Sequence, residues 1–253
     1  MTTPATPRDA ATVVLLRDGR QGLQTWLLTR RTTLAFAAGM AVYPGGRVDA
    51  DDADVPLARP DRAVEVAEAY GVEVDRAHAV IVAAARETFE ETGVLLTVPT
   101  APAGLDEVRT ALEARQVGFA AVLAEHGLEV DGDAFRPWAR WLTPEAEPRR
   151  YDTFFFVAGL PTGAQAHDVT TESTSATWVD VVEVLSGDTV LMPPTRVTLE
   201  LLGRHASVED VLAAAADADL GQVMPTLARA EGGVVAQLPD GRQLAIRRPG
   251  TPA

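Results

Sequence analysis

The chain has 253 residues, 47% of them hydrophobic and 23% charged, the make-up of an ordinary folded protein and enough for one large domain or two small ones. Acidic residues number 36 against 22 basic ones, a formal net charge of -14, which argues against nucleic acid as a partner because such binding rests on neutralising phosphates. All 22 basic residues are Arg and there is no Cys, which excludes a P-loop lysine, a lysine Schiff base, a disulfide framework, a thiolate metal site and a cysteine nucleophile.

The opening M-T-T-P-A-T-P-R-D has neither the basic nor the apolar stretch of a secretory signal. No run of 18 apolar residues marks a membrane span, and the final T-P-A is no peroxisomal address. A cytoplasmic protein without a membrane partner is expected. In chain order, Ala11–Arg17 reads as a buried strand, Asp18–Gly22 as a turn and Leu23–Arg30 as the second arm of a hairpin. Residues 31–41 read as loop, and P-G-G-R-V-D at 44–49 as a rigid turn. Residues 50–62 read as an exposed loop, and 63–70 has weak helical spacing.

Asp75 is the expected N-cap of a helix from about Arg76 to Thr92, with Gly93 ending it. Val94–Val98 is strand-like, and two short amphipathic helices are expected near 105–115 and 117–127. Strands follow at Ala139–Leu142, Thr153–Gly159 and Ala176–Val179, then a short helix at Val181–Ser186. Helices are expected near 195–203 and 207–217, and P-D-G-R joins Val234–Leu238 to Gln243–Arg247 as a hairpin. Strands alternating with helices, together with hairpins, predict a mixed sheet. No repeat and no dividing linker is evident.

The chemistry concentrates in R-E-T-F-E-E-T-G-V at 86–94. On a helix Glu87, Glu90 and Glu91 stand at i, i+3 and i+4, so three carboxylates project from one face and repel one another. A hard divalent cation such as Mg2+ or Mn2+ would turn that repulsion into attraction. The plain alternative is a solvated acidic face, with Arg86 pairing to Glu90 at i+4. Against it stand the buried-looking run Ala83-Ala84-Ala85 before the glutamates and a Gly-Gly turn upstream followed by Asp49, Asp51 and Asp52.

Together, P-G-G and R-E-x-x-E-E-x-G resemble the Nudix hydrolases, whose signature is G-x5-E-x7-R-E-U-x-E-E-x-G-U, with U a bulky aliphatic residue. Gly46 takes the first position, and Arg86, Glu87, Glu90, Glu91, Gly93 and Val94 fill the second half. Three departures stand out. Thr88 occupies the aliphatic position, Asp52 stands where the first Glu belongs, and 33 residues separate Asp52 from Arg86 instead of 7. An insert at about 53–78 accounts for the difference. Such an insert marks a branch similar to the peroxisomal coenzyme A diphosphatases. The likeness extends to L-L-T-R-R at 27–31, F-A-A-G-M-A-V-Y-P-G-G-R-V-D at 36–49, W-L-T-P at 141–144, P-R-R-Y-D-T-F-F-F at 148–156 and P-P-T at 193–195. A later Arg of the coenzyme A motif is not at its place in T-T-L-A-F-A-A-G.

The resemblance implies an α/β (α+β) fold, an α/β/α sandwich around a mixed β-sheet with helical insertions and a C-terminal helical extension over about 194–253, residues 1–253 forming one domain. It implies hydrolysis of the diphosphate in a small nucleotide substrate, coenzyme A or its acyl derivatives first, NADH, ADP-ribose or a nucleotide sugar as the alternative. A non-catalytic Nudix-fold binding module is the third reading, although such modules usually lose the glutamates that this chain keeps. Glu87, Glu90 and Glu91 are the implied ligands of Mg2+ or Mn2+, and Gly45 and Gly46 flank the substrate and offer a backbone carbonyl. The general base is Glu87 or Glu172, the latter in H-D-V-T-T-E-S-T, and Glu91 completes the catalytic set. Arg30, Arg31, Arg149 and Arg150 are candidate phosphate contacts, whereas Arg86 orients the glutamates. Tyr43, Trp138 and Trp141 read as packing residues ahead of base-stacking ones. No nucleic acid is expected as a partner, and a homodimer is compatible with the insert and the helices near 105–127.

Overall fold

A computed structural model describes residues 4–31, 39–169, 173–230 and 233–246. The opening hairpin is β1 (Arg8–Asp18) and β2 (Leu23–Arg30), followed by β3 (Ala41–Val42) and β4 (Gly45–Arg47). After a 3-10 turn at Ala50–Asp54 come α1 (Arg62–Tyr70) and α2 (Val74–Thr92). Then follow β5 (Thr97–Val98), α3 (Asp106–Glu113), α4 (Phe119–His126), β6 (Glu129–Val130), β7 (Arg136–Leu142) and β8 (Tyr151–Gly159). The chain continues through β9 (Ser173–Asp180), α5 (Val181–Ser186), α6 (Pro193–Leu202) and α7 (Val208–Ala214). It closes with β10 (Gln222–Val223), β11 (Thr226–Ala230), β12 (Gly233–Gln237) and β13 (Gln243–Ile246).

The main sheet runs β10-β7-β8-β1-β2-β3, with β4 also on β1 and β9 also on β2. It is mixed: β1 is parallel to β8 and β10 to β7, and the other pairings are antiparallel. The period-two alternation of β1 and β8 explains why both faces are covered. Ala11, Val13, Leu15, Phe154, Phe156 and Ala158 join one core with α1 and α2. Val14, Leu16, Phe155 and Val157 join the opposite core with α5, α6 and α7. Helices therefore pack on both faces, as an α/β/α sandwich requires. Removing Phe156, which is wholly buried, would cost about 3–5 kcal/mol.

The 50–62 segment is not an exposed loop. Its apolar residues are isolated among Asp and Pro, so they leave no periodicity to read, yet Val55 and Leu57 are 1% and 3% exposed. They pack with Ala63, Val66, Ala67 and Tyr70 of α1 into the core of the main sheet. Tyr70 donates its hydroxyl to the Phe155 carbonyl at 2.6 Å and meets Phe154 and Phe156 edge-on. The insert is thus structural core.

Glu73, not Asp75, is the N-cap of α2, which begins at Val74; Asp75 sits in its acidic first turn. Of the 94–98 strand only Thr97–Val98 is paired, against β6. The expected C-terminal hairpin is β12–β13, widened by β11, so the region after 194 is helical only in its first part. Among the described residues no helix is long and apolar enough to cross a membrane.

Candidate active site

The site forms where the last two turns of α2 cross β4. Ala83, Ala84 and Ala85 are wholly buried, and their small side chains let the helix lie close on the sheet. That placement leaves Glu87, Glu90 and Glu91 half-buried along its edge. Thr88, at the family's aliphatic position, is also wholly buried and satisfies its hydroxyl on the Ala84 carbonyl at 2.7 Å. Gly93 ends the helix, its N–H on the Phe89 carbonyl.

Arg86 organises the glutamates. Its Nε and Nη2 donate to Asp52 at 2.8 and 2.9 Å, Nη1 to Glu87 at 2.8 Å and Glu90 at 3.2 Å, and Nη2 also to the Arg47 carbonyl at 2.9 Å. All five N–H donors of the guanidinium are engaged. Asp52, 2% exposed, also accepts from the Asp49 N–H at 2.8 Å. Asp52 thus stands in for the family's first glutamate, 34 positions from its arginine.

The Gly-Gly turn is fitted against the same carboxylates. The Gly45 N–H donates to Glu91 at 2.8 Å. A Cβ at Gly46 would fall onto the Glu87 carboxylate, and one at Gly45, where φ is 155°, onto the Ala11 carbonyl oxygen. Burial pushes the Glu87 carboxyl up to about 7, with Glu90 and Asp52 reinforcing and Arg86 opposing. Burial also raises Glu90, again against Arg86.

The donor set is all oxygen and suits a hard divalent cation. Among the described residues, however, no three acidic or histidine side chains are drawn together tightly enough to hold a metal ion as they stand. Arg86 holds Glu87 and Glu90 by hydrogen bonds, and the Gly45 N–H holds Glu91. A cleft of about 240 Å3 between α3 and α4, lined by Val108, Val117 and Val122, involves none of the three glutamates.

The other expected site residues divide. Glu172 lies outside the described residues. Arg30 ends β2 opposite Ser173, and Arg31 donates to the Ser173 carbonyl at 3.1 Å. Arg149 is exposed between β7 and β8. Arg150 departs from its expected substrate role: it is 8% exposed and donates to the carbonyls of Thr143 and Ala5 at 3.1 Å and towards the Met224 sulfur. It ties the N-terminus to the β7–β8 turn. Tyr43, Trp138 and Trp141 are buried in the α5–α7 core, as packing residues.

Sequence reasoning passed over Arg109 and Arg115. Arg109 is buried and donates to the Glu90 carbonyl at 3.0 Å, docking α3 on the signature helix. Arg115 reaches Asp49 at 3.1 Å. Neither stands in a recognisable motif, and only the fold brings them to the glutamates.

A family model described as the NUDT19 Nudix domain matches residues 55–199, more than half of the chain. Acyl-coenzyme A diphosphatase NUDT19 of Xenopus laevis is 28% identical over 185 residues, covering 62% of this chain and 49% of that protein. Putative nudix hydrolase 7 of Caenorhabditis elegans is 29% identical over 195 residues, covering 74% of this chain and 57% of that protein. The chain therefore spans about half the length of the curated relatives it matches. The crystal structure of a NUDIX hydrolase from Alicyclobacillus acidocaldarius superposes with a TM-score of 0.68 at 27% identity, covering 86% of this chain and 99% of that one. Nudix hydrolases generally use divalent metal ions and act on small nucleotide-derived substrates. With the split signature rejoined by Asp52 and Arg86 and the matched model covering the signature helix, the chain belongs to the Nudix hydrolase family, in the branch of the NUDT19 Nudix domain.

Proposed function

We propose that the chain hydrolyses the diphosphate linkage of a nucleoside diphosphate–X substrate, with coenzyme A or acyl-coenzyme A as the first candidate, giving 3′,5′-ADP and (acyl-)phosphopantetheine. The observation that carries this reading is the register of Glu87, Glu90 and Glu91 along one edge of α2, with Gly45 and Gly46 pressed against Glu91 and Glu87. In this proposal the three glutamates hold Mg2+ or Mn2+. A bound divalent cation would stabilise the charge that develops on the phosphoryl oxygens. Glu87, half-buried and carrying a raised pKa, takes the proton of the attacking water, with Glu172 as its competitor. Arg30, Arg31 and the exposed Arg149 supply phosphate contacts.

The coenzyme A choice is supported by the NUDT19 branch and by the name of the Xenopus laevis relative. A different nucleotide is favoured by one observation, the loop T-T-L-A-F-A-A-G, which lacks the later Arg of the coenzyme A motif. A panel of coenzyme A, acetyl-coenzyme A, NADH, ADP-ribose and nucleotide sugars with Mg2+ or Mn2+ separates the two. Release of 3′,5′-ADP from coenzyme A supports the first choice; cleavage of NADH or ADP-ribose alone moves the assignment to the second. Glu91→Gln should lower turnover by about a hundredfold or more while the fold persists. Unchanged turnover in that variant would remove the metal assignment.

A further inference from the structure

We infer that Arg115, at the end of α3, binds the diphosphate of the substrate at the rim of the glutamate site; this rests on the diphosphatase reading above. Helix α3 closes in a Schellman motif, with the Arg115 N–H on the Leu112 carbonyl and the Gln116 N–H on the Ala111 carbonyl, both at 2.8 Å. The residue after the cap in such a motif turns left-handed and is ordinarily glycine. This chain follows that rule at Gly71, Gly93 and Gly127, which end α1, α2 and α4 with positive φ. At α3 it places Arg115 there instead, with φ of 55°, the only positive-φ non-glycine among the described residues. Glycine would take this conformation without steric cost, so what the chain gains here is the arginine side chain.

That side chain is aimed at the site. Arg109 docks α3 on the Glu90 carbonyl near the end of α2. From there Arg115 reaches Asp49 Oδ2 at 3.1 Å, the same oxygen that stands 4.0 Å from Arg86. The two arginines differ in what they can offer. Arg86 is buried with every donor engaged, whereas the Arg115 side chain is 70% exposed. A chain of charge -14 repels a polyanion, and an exposed planar guanidinium beside the carboxylates gives its phosphates a two-pronged contact.

The test uses the full chain with Mg2+, a cleavable nucleoside diphosphate substrate and its methylene-bridged analogue. Arg115→Gly should raise the KM and the analogue Kd about tenfold, leave kcat within about twofold, and raise the Tm because glycine suits the left-handed position. Arg115→Lys should recover part of the affinity. Arg229→Ala, which removes an exposed arginine from β11, should leave both constants unchanged and so separates a local contact from net charge. If wild type binds and cleaves while Arg115→Gly matches it in KM and Kd, Arg115 is only a helix cap and the inference falls alone. If wild type neither binds the analogue nor cleaves any diphosphate, the functional reading falls and the inference with it.

Discussion

Asp52 and Arg86 lie 34 positions apart and meet in a two-pronged ion pair, their side chains 2% and 6% exposed. Losing Asp52 would leave two buried Arg86 donors without their partner, although Glu87 and Glu90 would still balance the charge. Asp52→Ala should destabilise the protein by about 1–3 kcal/mol in urea denaturation. The Asp52→Ala/Arg86→Ala double variant should lose less than the sum of the two singles. Additive losses would show that the two residues do not act as a unit.

This pair also marks how far local reasoning reaches. The glutamate face, its glycine stop and the Gly-Gly turn are legible because i, i+3 and i+4 spacing and turn chemistry act within a few residues. The strands of Ala11–Arg17 and Thr153–Gly159 are legible for the same reason, as apolar runs bounded by breakers. The burial of Val55 and Leu57 was not, because two apolar residues among Asp and Pro carry no period and their partners lie on α1 and β6. Arg115 was invisible: a lone arginine says nothing until α3 is docked on α2. Arg150 misled in the opposite direction, since an Arg-Arg pair before a strand looks like a phosphate clamp, whereas the fold gives its second member backbone carbonyls to hold.

Gly46 leaves no room for a side chain beside Glu87. Gly46→Ala should therefore displace that carboxylate, costing about 1–3 kcal/mol of stability as other overpacked sites do and abolishing cation-dependent turnover while α2 remains folded. Circular dichroism and a turnover assay check the two halves. Wild-type activity in the alanine variant would show that Glu87 swings aside at no functional cost and that its observed position is not the working one.

Asp152 links β8 to α2, β7 and β10. It accepts from Arg140 at 3.0 and 2.7 Å, from Arg76 at 2.8 Å and from Gln222 at 3.0 Å. Burial alone would raise its carboxyl, but the hydrogen bonds from Arg140 and Arg76 outweigh that and hold it below the usual range. A carboxyl lowered in the folded state stabilises fully above its unfolded pKa, near 3.9, and that contribution is lost as pH falls through the lower folded value. Wild type should thus exceed Asp152→Asn in stability by a constant margin above about pH 5, and the margin should shrink only below about pH 4. Urea melts at several pH values give the curve. A margin that shrinks between pH 5 and 7 would mean that another group carries the dependence.

The insert makes its own prediction through Tyr70. Its hydroxyl donates to the Phe155 carbonyl of a central strand and accepts the Trp138 N–H at 3.3 Å, so one side chain of α1 serves both β7 and β8. Tyr70→Phe keeps the ring contacts with Phe154 and Phe156 and removes only the hydroxyl, leaving two buried backbone groups short of a partner. Such a loss should cost about 1–3 kcal/mol. Tyr70→Ala removes the ring as well and should cost about 3–5 kcal/mol. A peripheral insert would tolerate both changes within about 0.5 kcal/mol. Denaturation midpoints that fall in the order wild type, phenylalanine, alanine, with one cooperative transition throughout, would place α1 inside the same folding unit as the sheet that carries Gly45 and Gly46. Insensitivity to both would detach α1 from that core.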